Sequence, residues 1–330
     1  MAVGAQPQAE APVAEPDAGL GGLVAQRDAP VGGQAVLEGV MMRSPGTWAV
    51  TVRRADGELA RVCRPISSAA SRHRWMRLPI IRGVVALGES LVIGFRALSV
   101  SATYASIQPG EEADPEEAAE LTRGQIAFAF VIAIGFALVI FKVSPAIITE
   151  LLPIHNTALF VVVEGAIRVS FLVAYLALIS LVPDLRRVFQ YHAAEHKTIN
   201  AYEDGAELVP ERVQTYSKIH LRCGTAFLLW VMVIAIFVFA LVGRPDWPIL
   251  IASRIVLLPV IAGLAYEVIR FGGKHPRNTV VRALLAPGLW LQSLTTREPT
   301  LDQVEVSIQA LRDVLDAEAA SAPSPVEVMA

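Results

Sequence analysis

Residues 192–196 run H-x-x-E-H, with His192 and His196 four positions apart and Glu195 beside the second. On a helix, positions i and i+4 lie on one face, so the two imidazoles can converge on one cation. Neutral imidazole suits zinc and other divalent metals, and a carboxylate that is not itself a ligand can take a proton from water activated by the metal. The order is that of an inverted zincin motif. It makes Glu195 the candidate catalytic base and metal-dependent hydrolysis the candidate chemistry.

Two rings do not make a zinc site, because catalytic sites usually use three protein ligands plus water. Glu203 follows His196 by seven residues, about 10 Å along a helix axis, and could join only if the helix broke near Asn200. His220 and Cys223 are better placed: they sit three residues apart, beyond a loop at 204–218 that can fold back over the first helix. A His/His/His or a His/His/Cys set would result. The competing reading is structural, with the same rings capping carbonyls, pairing with Glu195 or resting against lipid headgroups. The loop at 183–222 is also far smaller than the peptide-binding domains of inverted zincins.

The elements that must position these residues belong to a membrane protein. The 330-residue chain is 54% hydrophobic and 18% charged, with mean hydropathy +0.49, against about one-quarter charged in a soluble domain. Residues 126–143, 157–182, 225–242 and 248–269 are apolar enough to cross a hydrocarbon core that needs about 20 residues. Basic residues gather between the second and third spans (Arg186, Arg187, Lys197, Arg212, Lys218, Arg222) and after the fourth (Lys274, Arg277, Arg282). The positive-inside rule therefore places both termini and the H-x-x-E-H loop in the cytoplasm. No basic surface with interleaved aromatics exists, so nucleic acid is not an expected partner. The bilayer is, together with a membrane-protein partner or a second copy of the chain. Cys63 and Cys223 form no disulfide pattern.

In order, the chain reads as a disordered tail over 1–31, lacking the basic and apolar regions of a signal peptide, and a small β-rich unit over 32–70. A basic segment and interfacial helix (71–107) and an acidic linker (108–123) follow. Two spans (124–182), the H-x-x-E-H loop (183–224) and two further spans (225–270) come next. Last are an interfacial or re-entrant segment (271–299) interrupted by Pro287-Gly288, an amphipathic cytoplasmic helix (300–318) and a tail (319–330). In the β-rich unit, 48–52 alternates, Asp56-Gly57 signals a hairpin turn and 58–62 returns. Arg82, Glu89 and Arg96 recur every seven residues in 79–100, a polar stripe that favours an interfacial position or packing on the bundle over a full span. Gln303 stands at the capping-box position of the helix begun by Thr300, with Leu301, Val304, Ile308, Leu311 and Leu315 on one apolar face. The fold class is mainly α: a polytopic transmembrane helical bundle of about four spans plus interfacial helices, with a small cytoplasmic β-containing N-terminal unit.

Charges inside the spans are expensive and point to function by default. Glu164 and Arg168 are one turn apart and can pair. Lys142 and Arg254 lie toward span ends and can snorkel; Glu267 can face the cytoplasmic unit. Three functions compete: a metal-dependent membrane enzyme, a transporter or channel with Glu164, Arg168 and Arg254 along its path, and a scaffold for membrane-protein assembly.

Several blocks together carry a resemblance: residues 32–43 (GGQAVLEGVMMR), 191–198 (YHAAEHKT), 222–225 (RCGT), 287–292 (PGLWLQ) and 295–299 (TTREP). From about Gly32 to Pro299 the chain resembles the YqhQ-like family of bacterial multi-pass membrane proteins, a domain of unknown function whose members are often labelled predicted metal-dependent enzymes. The resemblance implies an integral membrane protein and supplies no substrate. Leu221 stands where the family commonly has Pro, and Ala193 where it commonly has Gly; neither removes a candidate ligand.

Overall fold

The computed structural model describes residues 31–66, 73–106, 123–243, 246–275 and 278–321. The N-terminal β-prone stretch folds as four strands, β1 (Gly32–Val36), β2 (Gly39–Arg43), β3 (Thr47–Arg53) and β4 (Leu59–Pro65). They form an antiparallel meander in the order β1-β2-β3-β4. The β3–β4 turn holds Gly57 at φ +89°, as Asp56-Gly57 leads one to expect. The first hairpin is an addition to the sequence reading; it turns through Glu38 at φ +50°.

Both faces of this sheet are covered. Val40, Met42 and Ala49 point to one side, where they meet Leu311, Val314 and Leu315 of the C-terminal helix α11 (Leu301–Ser321). Met41, Trp48, Val50 and Val52 point to the other, against Ile93, Ala97 and Tyr104 of α1 (Ile81–Ser106). The period of two in the strands thus feeds two cores at once. The capping box of α11 forms, with Gln303 Oε1 accepting from the Thr300 amide at 3.0 Å. Leu301, expected on its apolar face, is exposed, while Gln303 and Val304 in the same turn are buried.

Between these elements lies the helical bundle. α2 (Arg123–Leu138) runs through a π-helical turn at Val139–Val143 into α3 (Ser144–Glu150), so the helix continues through residues expected to be loop. α4 (Thr157–Ile179) returns, and α5 (Pro183–Glu203) carries the H-x-x-E-H motif. A short α6 (Pro210–Gln214) precedes α7 (Gly224–Val242). The last apolar stretch is split into α8 (Trp247–Val256) and α9 (Leu258–Lys274); Pro259, lacking an amide hydrogen, falls at the junction. α10 (Thr279–Thr295) is one helix through Pro287, not the interrupted segment expected. Its Gly288 lies directly on Ala226 of α7, and this packing outweighs the proline's local cost. At Gly165 of α4 an added Cβ would stand 2.3 Å from the Ile236 side chain of α7, so that side chain packs directly on the α4 backbone.

Among the described residues, five helices are long and apolar enough to cross a membrane, one more than the four spans expected. The fifth is α1. Its carboxyl-terminal half packs on the sheet, and its start is fixed to α9 by an Arg82–Glu267 ion pair. That pair places Glu267 toward α1. The protein is a multi-pass membrane protein in contact with lipid. The tail expected at 1–31 lies outside the described residues apart from Val31, and the linker at 108–123 apart from Arg123. Of the tail at 319–330, residues 319–321 end α11 and the rest lie outside.

Leu311 is fully buried between the sheet and α5. Leu311→Ala should destabilise the purified protein by about 2–5 kcal/mol in thermal or urea melts, whereas Leu301→Ala on the same helix should change it by less than about 0.5 kcal/mol.

Candidate metal centre

α5 is unbroken across the motif, so His192 and His196 stack one turn apart with ring centroids 4.4 Å from each other. Each ring is anchored through Nδ1. His192 Nδ1 lies 2.8 Å from the Thr295 carbonyl at the end of α10, and His196 Nδ1 lies 2.7 Å from the Lys218 carbonyl in the loop after α6. A carbonyl only accepts, so both Nδ1 atoms carry the hydrogen. Both Nε2 atoms are left to face the same space, as second-shell carbonyls arrange in metal-ligating histidines.

The third member is Cys223, which caps the start of α7. Its Sγ is 3.4 Å from His192 Nε2 and 3.2 Å from Thr225 Oγ1. Among the described residues, His192, His196 and Cys223 form one group whose ligand atoms all lie within 4.8 Å of one another. A tetrahedral zinc with bonds of about 2.0 Å to nitrogen and 2.3 Å to sulfur holds its ligand atoms roughly 3.3–3.6 Å apart. The residues present therefore fit such an ion with a closure of at most about 1.5 Å.

The loop is held over α5 as the sequence suggested. Asn200 Nδ2 donates to the Ser217 and Ile219 carbonyls, and Lys197 Nζ donates to the Gln214 carbonyl and to Glu298 Oε1. Gln292 of α10 grips the backbone of His220 on both its amide and its carbonyl. The His220 side chain stands outside the ligand group. Its ring is 5.8 Å from that of His196, and its Nε2 faces Glu203 Oε2 at 3.5 Å. Glu203, at the end of the unbroken helix, pairs with Arg222 and is no part of the cluster.

Glu195 is buried against β1. At Gly33 an added Cβ would stand 2.8 Å from Glu195 Cγ, so only glycine lets the strand come this close, and the Gly33 amide donates to the carboxylate. Burial raises the Glu195 pKa, with the two imidazoles acting the other way. Burial also raises the Cys223 thiol, but His192 and His196 outweigh it and hold the thiol well below its ordinary range. Conversely, burial lowers His192, and the Cys223 thiolate outweighs it, so the ring is pushed up to about 9. Without a metal both shifts favour a thiolate beside an imidazolium. A cavity of about 540 Å³ opens onto these groups, lined also by Arg43, Leu176, Ile179 and Leu228.

The intramembrane charges lie elsewhere. Glu164 and Arg168 pair within α4, and Arg254 of α8 donates from Nη2 to Glu164 Oε2 at 2.8 Å. Arg254 is 5% exposed and does not snorkel; Lys142 turns inward over the Phe239 ring. The sequence reading missed the two anchoring carbonyls, because a carbonyl leaves no trace in residue type. It also missed the role of Gly33, whose close approach to Glu195 is set by tertiary packing.

Cys63 provides an internal comparison, its thiol pKa being raised by burial and by the nearby Asp313. In metal-free protein, iodoacetamide should alkylate Cys223 at a nearly constant rate between about pH 9 and pH 7, while the Cys63 rate falls with its thiolate fraction. Parallel declines, read by mass spectrometry, would make Cys223 an ordinary thiol.

The profile of the family described as "Protein of unknown function (DUF1385)" matches residues 78–317. The chain is 34% identical over 298 residues to the "Uncharacterized protein YqhQ" of Bacillus subtilis (strain 168), covering 88% of this chain and 93% of that one. No solved structure gives a significant match. A family match that takes in the bundle, the motif helix and the closing helix, together with a relative aligned over nearly its full length, shows that the chain belongs to the DUF1385 family.

Proposed function

We propose that the protein is a metal-dependent membrane enzyme of the hydrolase type. Its metal is held by His192, His196 and Cys223, and Glu195 serves as the base. One observation carries the reading: two imidazoles, each locked through Nδ1–H to a carbonyl, turn their Nε2 atoms toward one low-pKa thiol. Three protein ligands facing a cavity are the pattern of catalytic zinc, which keeps a position open, whereas structural zinc uses four. A bound zinc would supply Lewis acidity toward a carbonyl. Glu195, raised by its burial, is suited to take and return a proton within the cavity. Polar groups at one end of the cavity and Leu176, Ile179 and Leu228 of the spans at the other fit an amphiphilic substrate drawn from the bilayer. His220 then holds the loop beside His196 and is not a ligand. The positive-inside rule puts this end of the bundle in the cytoplasm.

A second reading rests on its own observation. Cys223 stands at the amino end of α7 with its thiolate beside the His192 imidazolium, and such a pair is also a thiol nucleophile and its acid partner. A chelator separates the two: it abolishes turnover in the first and leaves it intact in the second.

Purified protein should carry about one zinc per chain by elemental analysis. His192→Ala and Cys223→Ser should weaken binding by more than the roughly 10–100-fold typical of losing an outer-shell partner. Wild type holding no more metal than Cys223→Ser overturns the reading. Glu195→Gln should keep the metal and slow cleavage of amphiphilic esters or amides by about 10²–10⁴-fold. Zinc uptake near neutral pH should release about one proton, from the His192 imidazolium, because the thiol is already ionised. Cys63, exposed on the sheet, reports orientation: in intact cells a membrane-impermeant maleimide should leave it unlabelled.

A further inference from the structure

The apolar end of the bundle away from the metal centre carries an imbalance of charge. Lys142 of the π-helical turn, Arg168 of α4 and Arg254 of α8 all lie over the Phe239 ring of α7, at 5.1, 5.5 and 3.8 Å from its centroid. Phe239 is sixteen residues along from Cys223, roughly 24 Å of helix. The carboxylate paired with this cluster among the described residues is Glu164, which accepts from both arginines. Three cations therefore share one carboxylate and one aromatic ring, in a segment flanked by lipid.

Arg168 is satisfied further, since its Nε donates to the Phe141 carbonyl of the π-helical turn at 3.0 Å. The other two cations are not. Lys142 Nζ and Arg254 Nε and Nη1 are shielded and have no acceptor among the described residues, and Arg254 is only 5% exposed. A buried, unpaired donor on a charged group is costly. Both side chains line an opening of about 100 Å³, room for a water-sized group or a few atoms. Its remaining walls are apolar, and two of them, Val143 and Ile255, are exposed on the outer surface of the bundle. The π turn that presents Lys142 is a rare local widening of a helix, found mostly where function requires it.

We propose that Lys142 and Arg254 form an intramembrane anion site, which takes a small anionic group entering from the lipid side. The ligand supplies the acceptor that three donor atoms lack and brings the cluster closer to neutrality. Its chemistry is that of a halide ion or the phosphate of an anionic lipid headgroup; the opening is too small for a bulky organic anion. The site stands apart from the metal centre and rests on none of its residues.

The test uses the full chain in phosphatidylcholine nanodiscs in gluconate buffer, an anion too large for the opening. In one arm bromide is titrated; in the other, phosphatidylglycerol replaces part of the lipid. Wild type should gain about 4 °C in Tm at ten times Kd in at least one arm, and the responding arm identifies the source. Lys142→Met removes an unpaired charge and no hydrogen bond, so it should melt higher than wild type without ligand and respond in neither arm. Val143→Trp, which narrows the opening and keeps all four charges, should also lose the response, so the test does not depend on one variant folding. Cys223→Ser should keep it. A wild type that responds in neither arm, or a response unchanged in both Lys142→Met and Val143→Trp, overturns the proposal.

Discussion

The hydrogen bonds from two imidazole Nδ1 atoms to two backbone carbonyls are the constraint on which the His/His/Cys cluster depends. Spacing on α5 brings His192 and His196 to one face, but spacing alone leaves each ring free to rotate and to choose its tautomer. The carbonyls of Thr295 and Lys218 remove that freedom. Each comes from a distant part of the chain, one at the end of α10 and one in the loop after α6. Much of the fold can be understood as the means of bringing them there: Gln292 clamps the backbone at His220, and Lys197 ties the loop and the segment after α10 to α5.

The site is also a joint between two kinds of structure. β1 supplies Gly33 against Glu195, α4 and α7 supply apolar walls, and α5 crosses between them. The sheet is covered on both faces by helices from opposite ends of the chain, so the N-terminal unit cannot form its core without α11. α1 builds the core on the sheet's other face at one end and meets α9 at the other through Arg82 and Glu267. The carboxylate and the ligands are therefore set by packing that spans the sheet and the bundle together.

What was legible in the sequence follows from how local each signal is. The H-x-x-E-H helix, the β3–β4 hairpin and the apolar spans could be read because periodicity and turn chemistry act over a few residues. Of the third-ligand candidates, the cluster contains Cys223 and not His220, which no spacing rule could decide: the His220 backbone is held by Gln292, seventy-two positions away, and its ring faces Glu203. Pro287 looked like an interruption because a proline's local cost is visible and the Gly288–Ala226 packing that offsets it is not. Lys142 and Arg254 looked like snorkelling residues because an amphipathic side chain near a span end usually finds water; the ring of Phe239 and the carboxylate of Glu164 turned them inward instead.

The end of α10 has a mechanical consequence. This helix lies along α7 with glycine-close contact at Gly288 and stops at the carbonyl that orients His192. Cys223 heads α7 itself. Any axial slip of one helix against the other moves an imidazole relative to a thiol, so the thickness of the surrounding lipid becomes a variable in the geometry of the cluster.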